Sequence, residues 1–267
     1  MSKNPVWQIQ YGEGPLVAAA IHDGGEVRDE LVELFKIAPH ERLREQDPYT
    51  GMWTSIAPTR IVGLRSRFEV DLNRPREKAV YRTPEDAWGL KVWKRELPEE
   101  MIARSLANYD AFYEHVHHLL QQLVLKNGRV IVFDLHSYNH RRQGPDAPVD
   151  DPNANPDINI GTGSMDRVRW SPIIERFINE ASAFDYQGRQ LDVRENVKFR
   201  GGHFGAWVHE KFPDSVCVIS IEFKKFFMDE WKGSPNLDDL YAIGQLLGRV
   251  SAAVEEELIS FEPTISS

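Results

Sequence analysis

Cysteine is almost absent. Cys217 is the only one in 267 residues, so no disulfide can form within the chain and nothing points to an oxidising compartment. Positive charge is in deficit, with 32 Lys and Arg against 41 Asp and Glu and a formal net charge of −9. General nucleic-acid binding needs a basic footprint, and this balance argues against it without excluding a local basic pocket. No run of about 18 apolar residues occurs, so no membrane span is expected. The N-terminal MSKNPVWQIQYGEG is too polar for a signal peptide. Internal repeats and long linkers are missing too. The expectation is a soluble, cytoplasmic chain forming one domain over residues 1–267, with the 41% hydrophobic and 27% charged residues that suit a packed core.

What is there alternates between strand and helix patterns. The apolar run at 15–21 (PLVAAAI) reads as a buried strand that ends on His22-Asp23-Gly24-Gly25. Residues 26–35 carry helical spacing, and Asp47-Pro48 suits the N-cap and first turn of a helix. Residues 60–71 predict one strand or two. SRFEVDLNRP, at 66–75, opens like a strand and breaks on Pro75. A long helix is expected over 98–125, with Pro98 in its first turn and Asn127-Gly128 at its end. RVIVFDL (129–135) is the clearest buried strand. Residues 141–156 form a Pro/Asp/Asn-rich loop placed to act as a lid. Strands at 157–160, 191–197 and 216–223 and helices at 165–184 and 237–258 complete the pattern. The alternation predicts an α/β layered fold with a mostly parallel or mixed sheet.

In such sheets ligands bind beyond the carboxyl ends of the strands. Here His22, Asn73-Arg74, His136 and Glu222 stand at or just past the end of an apolar run. A lone histidine after a strand is more often a hydrogen-bonded structural residue than a ligand; two on successive core strands strengthen the ligand reading. Glu222 sits inside VISIEFKKFF. It either pairs with Lys224 or Lys225, Lys224 sharing its face by the two-residue period, or faces a site as a proton-transfer group. Arg74 is either a surface cation or a guanidinium held rigidly before Pro75 to take a carboxylate bidentately.

The order of these pieces resembles the N-formylglutamate amidohydrolase family: His22 followed by an acidic residue, DLNRP at 71–75, DLHS at 134–137 and IE at 221–222. SRF before VDLNRP, NIGTG at 159–163, FRGG at 199–202 and IEFKKFFMDEW at 221–231 add to it, while HFGAW at 203–207 departs from the family's usual continuation. The family is itself distantly similar to zinc carboxypeptidases and aspartoacylase-type deacylases. The resemblance implies a three-layer α/β/α fold with a central mixed sheet, phosphorylase/hydrolase-like. It implies one Zn²⁺ per chain on His22, His136 and a carboxylate, with Mn²⁺, Fe²⁺ and Co²⁺ compatible with the same donors. Gly25 stands where the His-x-x-Glu motif of carboxypeptidases would place its glutamate. Asp47 is the preferred ligand, with Glu45 and Glu26 as alternates, and Gly51 stands where the family often has a second aspartate. The resemblance further implies Glu222 as the base, Arg67 at the oxyanion, Asn73 and Arg74 on the substrate α-carboxylate, and Asp134 orienting a ligand or forming a salt bridge. The implied substrate is a small acidic N-formyl or N-acyl amino acid, N-formylglutamate-like, in histidine degradation. His140, Arg141 and Arg142 either read a distal anionic group or face water. A carboxypeptidase-like metallopeptidase and a catalytically silent ligand-binding protein are the alternatives.

Overall fold

The computed structural model describes residues 5–260. The polar N-terminal stretch therefore begins outside the described residues, and from Trp7 it forms an edge strand. The strands of the main sheet are β1 (Trp7–Gln10), β2 (Leu16–Ala20), β3 (Thr59–Gly63), β4 (Val130–Tyr138), β5 (Ile158–Gly161), β6 (Val193–Glu195) and β7 (Val216–Lys224). They form one sheet in the order β1-β3-β2-β4-β7-β5-β6. The central run β3-β2-β4-β7 is parallel, and β1 and the β5–β6 pair join it antiparallel. The sheet is thus mixed.

Strand pleating sorts the side chains into two layers of core. Leu16, Ala18, Ile131, Phe133, Cys217 and Ile219 face a layer that includes α5 (Ser171–Ala183) and α7 (Leu237–Ser260). Their neighbours Val17, Ala19, Val130, Val132, Val216 and Val218 face α4 (Glu99–Asn127) and α6 (His203–Lys211). This is a three-layer α/β/α fold. Pro98 precedes α4, Glu99 and Glu100 occupy its first turn, and Gly128 ends it at φ 75, so dipole and cap agree with its span. Among the described residues no helix is long and apolar enough to cross a membrane.

Several boundaries differ from the sequence pattern. Only α1 (Asp29–Val32) forms within 26–35, and α2 (Pro39–Glu45) and α3 (Thr50–Trp53) flank Asp47 rather than starting on it. SRFEVDLNRP is not a strand. The Ser66 hydroxyl accepts from the Phe68 N–H and the Ser66 carbonyl from the amides of Glu69 and Val70, which curls the chain into a turn. The alternation misleads because both sets of residues are buried. Phe68, Val70 and Leu72 join the core while Glu69 and Asp71 are 1% and 0% exposed in ion pairs.

The segments 24–58 and 64–97, on either side of β3, make an excursion with its own small core of Leu31, Phe35, Phe68, Tyr81 and Trp93. It contributes the wall of a cavity that opens at the carboxyl ends of β2, β4 and β7.

Candidate active site

The two central histidines come from adjacent parallel strands. His22 follows β2 directly, and His136 lies in β4, opposite Glu222 of β7 in the parallel register. Even-numbered residues of β4 and β7 share the face toward α4 and α6, so Asp134, His136, Ser220 and Glu222 project together. Asp47 arrives from the α2–α3 connection. Its amide donates to the His22 carbonyl at 3.1 Å, and its own carbonyl accepts from the Thr50 hydroxyl at 2.7 Å. Its carboxylate caps no helix and turns inward instead.

There Asp47 Oδ2 lies 3.4 Å from His22 Nδ1 and 2.9 Å from His136 Nδ1. The ligating atoms of His22, Asp47 and His136, all buried, lie within 4.8 Å of one another. Each imidazole is held from behind by its own carboxylate. His22 Nε2 is 2.7 Å from Asp71 Oδ1, and His136 Nε2 is 3.0 Å from Asp134 Oδ1. With both Nε2 atoms engaged, both Nδ1 atoms point at one carboxylate oxygen. Ser220 donates to Asp134 and Ser137 to Asp47, each at 3.3 Å. Of the alternate carboxylates, Glu26 is exposed and its backbone bridges to Arg65. Glu45 lines the cavity but accepts from Asn139 at 3.2 Å and meets Arg142 at 3.5 Å. Asp47 is the one that joins the histidines.

The electrostatics are those of a site short of positive charge. Burial alone would raise the Asp47 carboxyl, yet hydrogen bonds from His136 and His22 hold it well below the usual carboxylate range. Burial would likewise lower His136, but Asp134, Asp47 and Glu222 outweigh it and hold the imidazole well above its ordinary value. Glu222 is pushed by burial up to about 8, with the Asp47 and Asp134 carboxylates adding to the effect. Of the two readings of Glu222, the pairing with Lys224 or Lys225 is not the one formed: Lys224 meets Asp157 at 2.7 Å, and Lys225 donates to the Arg44 and Gln46 carbonyls and to Asn139.

The remaining predicted residues stand around the same cavity, of about 290 Å³, which is lined by His22, Asp47, Arg67, Asn73, Arg74, His136 and Glu222 among others. Arg67 donates to Asp71 Oδ2 at 2.8 Å and to the Glu45 carbonyl at 3.3 Å. The Asn73 amide closes a turn onto Asp71 Oδ1 at 2.8 Å, and its side-chain oxygen accepts from the Phe204 N–H at 2.9 Å. It is this turn, not a strand end, that presents Asn73 and Arg74. Arg74 is the freer guanidinium, 3.9 Å from Asp71 and 36% exposed. Arg142 lines the cavity, while His140 and the Arg141 backbone are bound to Glu230.

Sequence reasoning missed several contributors. Asp71 and Tyr81, hydrogen-bonded to each other, sit behind His22 and Arg67. The Trp88 indole lies 4.8 Å from the Arg67 guanidinium and 6.0 Å from that of Arg74. Asp23 accepts from the Gly51 amide at 2.9 Å, and its carboxylate fills the space a side chain at 51 would need. The signal for Asp71 lay in DLNRP itself and that for Asp23 in its place directly after His22; nothing local marks Trp88.

Comparison with known proteins agrees with this arrangement. None of the curated proteins matches the chain. Two solved structures share its fold. N-formylglutamate amidohydrolase from Ralstonia eutropha has a TM-score of 0.75 at 14% identity, over 95% of this chain and 98% of that one. A gene product of Agrobacterium tumefaciens has a TM-score of 0.64 at 17% identity, over 94% and 97%. Residues 14–228 match the N-formylglutamate amidohydrolase family, and the chain belongs to that family.

Proposed function

We propose that this protein is a zinc-dependent hydrolase that cleaves the amide bond of an N-formyl or N-acyl amino acid, N-formylglutamate-like. One observation carries the metal reading: two imidazoles, each backed by its own carboxylate at Nε2, aim Nδ1 at the same oxygen of Asp47. Carboxylate-backed histidines are the usual support of metal-ligating imidazoles. The donor set fits a divalent ion on a second ground. Asp47, Asp71 and Asp134 crowd two imidazoles and the Arg67 guanidinium, and beside them the Glu222 carboxyl is pushed up to about 8; a nearby cation would offset the cost of further buried anionic charge there. His22, Asp47 and His136 would hold the ion, two histidines and one carboxylate being a common catalytic set for Zn²⁺. Bound there, it would acidify water towards neutrality and polarise the scissile carbonyl.

The chain's own groups supply the rest. Glu222 takes a proton from the attacking water and returns it to the leaving amine. Its environment tunes it toward neutral pH, as a base needs. The Arg67 guanidinium, fixed by Asp71, meets the developing oxyanion, a role typically worth about 3 kcal/mol. Asn73 and Arg74 take the α-carboxylate, Arg74 being little engaged otherwise. Arg142, across the cavity, meets a distal anionic group. The decisive experiment measures zinc per chain and hydrolysis of N-formylglutamate together. About one zinc per chain, activity lost to a chelator, and a loss on the order of 10²–10⁴-fold in Glu222→Gln are expected. Absence of metal uptake, or unchanged turnover in Glu222→Gln, overturns the reading.

A further inference from the structure

Lys225 follows β7 directly and is 1% exposed. Its Nζ donates to the carbonyl oxygens of Arg44 at 2.6 Å and Gln46 at 2.7 Å, and to Asn139 Oδ1 at 3.1 Å. An ammonium has three donors, so all are engaged, and none of the three acceptors is a carboxylate. Burial disfavours this ammonium, and although the Asp47, Glu45 and Glu230 carboxylates nearby favour its charge, burying it costs more than burying a methionine of similar size. The position therefore calls for a reason beyond packing.

The acceptors supply it. Arg44 and Gln46 lie at the carboxyl end of α2, where carbonyls lack helical partners and a cation complements the dipole. The next residue is Asp47. Asn139 directly follows β4, three residues after His136, and Lys225 directly follows β7, three residues after Glu222 on the neighbouring strand. One ammonium thus joins the loop that carries the carboxylate to the two strands that carry His136 and Glu222. The loop is also anchored near Asp47 by its amide on the His22 carbonyl, the Thr50 hydroxyl on its own carbonyl, Arg67 on the Glu45 carbonyl, the Gln46 carboxamide on the Ser66 hydroxyl and Ser137 on the Asp47 carboxylate; Lys225 adds the Arg44 and Gln46 carbonyls to these ties. Removing the ammonium would leave the Arg44 and Gln46 carbonyls without this donor and would release the tie between the Asp47 loop and the ends of β4 and β7.

We propose that Lys225 is a positioning residue of the metal centre, holding the Asp47 loop so that its carboxylate meets the two histidines. The proposal rests on the metal reading above. Its test is the Zn²⁺ affinity of folded protein, measured by competition with a chromogenic chelator for wild type and Lys225→Met. Groups that support metal ligands are typically worth 10- to 100-fold in affinity, so a loss of about 10- to 100-fold is expected with the circular dichroism spectrum retained. A merely structural lysine would lower the melting temperature of the metal-free protein and leave the affinity of the folded molecules unchanged, and that result overturns the proposal. Should Lys225→Met fail to fold, Lys225→Gln is read instead. Its shorter amide keeps a donor but cannot span three acceptors; about a tenfold loss is expected, and wild-type affinity overturns the proposal. A wild type that takes up no Zn²⁺ overturns the metal reading itself, and this inference with it.

Discussion

Replacing Glu222 by Gln isolates the cost of one buried charge. In the metal-free protein burial pushes this carboxyl from its ordinary 4.5 up to about 8. The folded state therefore holds the proton more tightly than the unfolded chain does. Its advantage is fully present below about pH 4.5 and is lost as pH rises through about 8. Each pH unit in that window is worth about 1.4 kcal/mol, giving a ceiling of about 5 kcal/mol. The carboxyl faces the cavity, where water screens it, so about 2–3 kcal/mol is the expected effect. Glutamine is neutral throughout. The stability of Glu222→Gln minus that of wild type, from urea melts of chelator-treated protein, should be constant below about pH 4.5 and rise by about 2–3 kcal/mol by about pH 8.5. Titrating groups that Glu222 does not influence are common to both proteins and cancel in the difference, while the support His136 loses with the Glu222 charge belongs to the same interaction being measured. A difference that stays flat across the window would refute the argument, because it would mean that Glu222 ionises in the fold as it does in the open chain.

Much of the fold was legible because the central strands are buried on both faces. PLVAAAI, RVIVFDL and VCVISIEF read as apolar runs, and they form β2, β4 and β7, the centre of the sheet. Legibility failed where neither pattern nor propensity carries the signal. Helix α6 has Gly202 as its N-cap and contains Gly205, a poor helix former that helps hide it; its place is set by packing Phe204 and Val208 against the sheet. The 66–75 segment failed for the opposite reason. Its two-residue pattern is strong, but side-chain and backbone bonds to Ser66 and Asp71 make it turn.

The same division runs through the site. His22, His136 and Glu222 stand out in sequence as polar residues at the ends of apolar runs, and parallel register alone brings His136 beside Glu222. Asp134 follows from the two-residue period. Asp47 does not, since its place depends on contacts from residues as distant as His22 and Lys225. Local reading made it a helix cap, because an Asp-Pro pair is a good cap when nothing else claims the carboxylate. Here two imidazoles claim it.

Two more substitutions test the substrate side of the cavity. Arg74→Ala should raise KM for an N-acyl amino acid about 10- to 100-fold with a smaller change in kcat, since a charged hydrogen bond to a carboxylate is worth about 1.5–3 kcal/mol; steady-state kinetics showing equal KM would remove Arg74 from carboxylate binding. Gly202→Ala reaches the same point from the opposite wall. A Cβ at 202 would fall inside van der Waals contact with the Asn73 carboxamide, which is already fixed by the Phe204 amide and by its own backbone turn onto Asp71. The carboxamide cannot swing away without breaking the first of these bonds, so overpacking should cost about 1–3 kcal/mol of stability in urea melts and raise KM alongside. If instead KM rises with stability unchanged, Asn73 has yielded without strain and its carboxamide is held less firmly than the geometry implies; if neither changes, the close approach of Gly202 to Asn73 has no part in substrate binding.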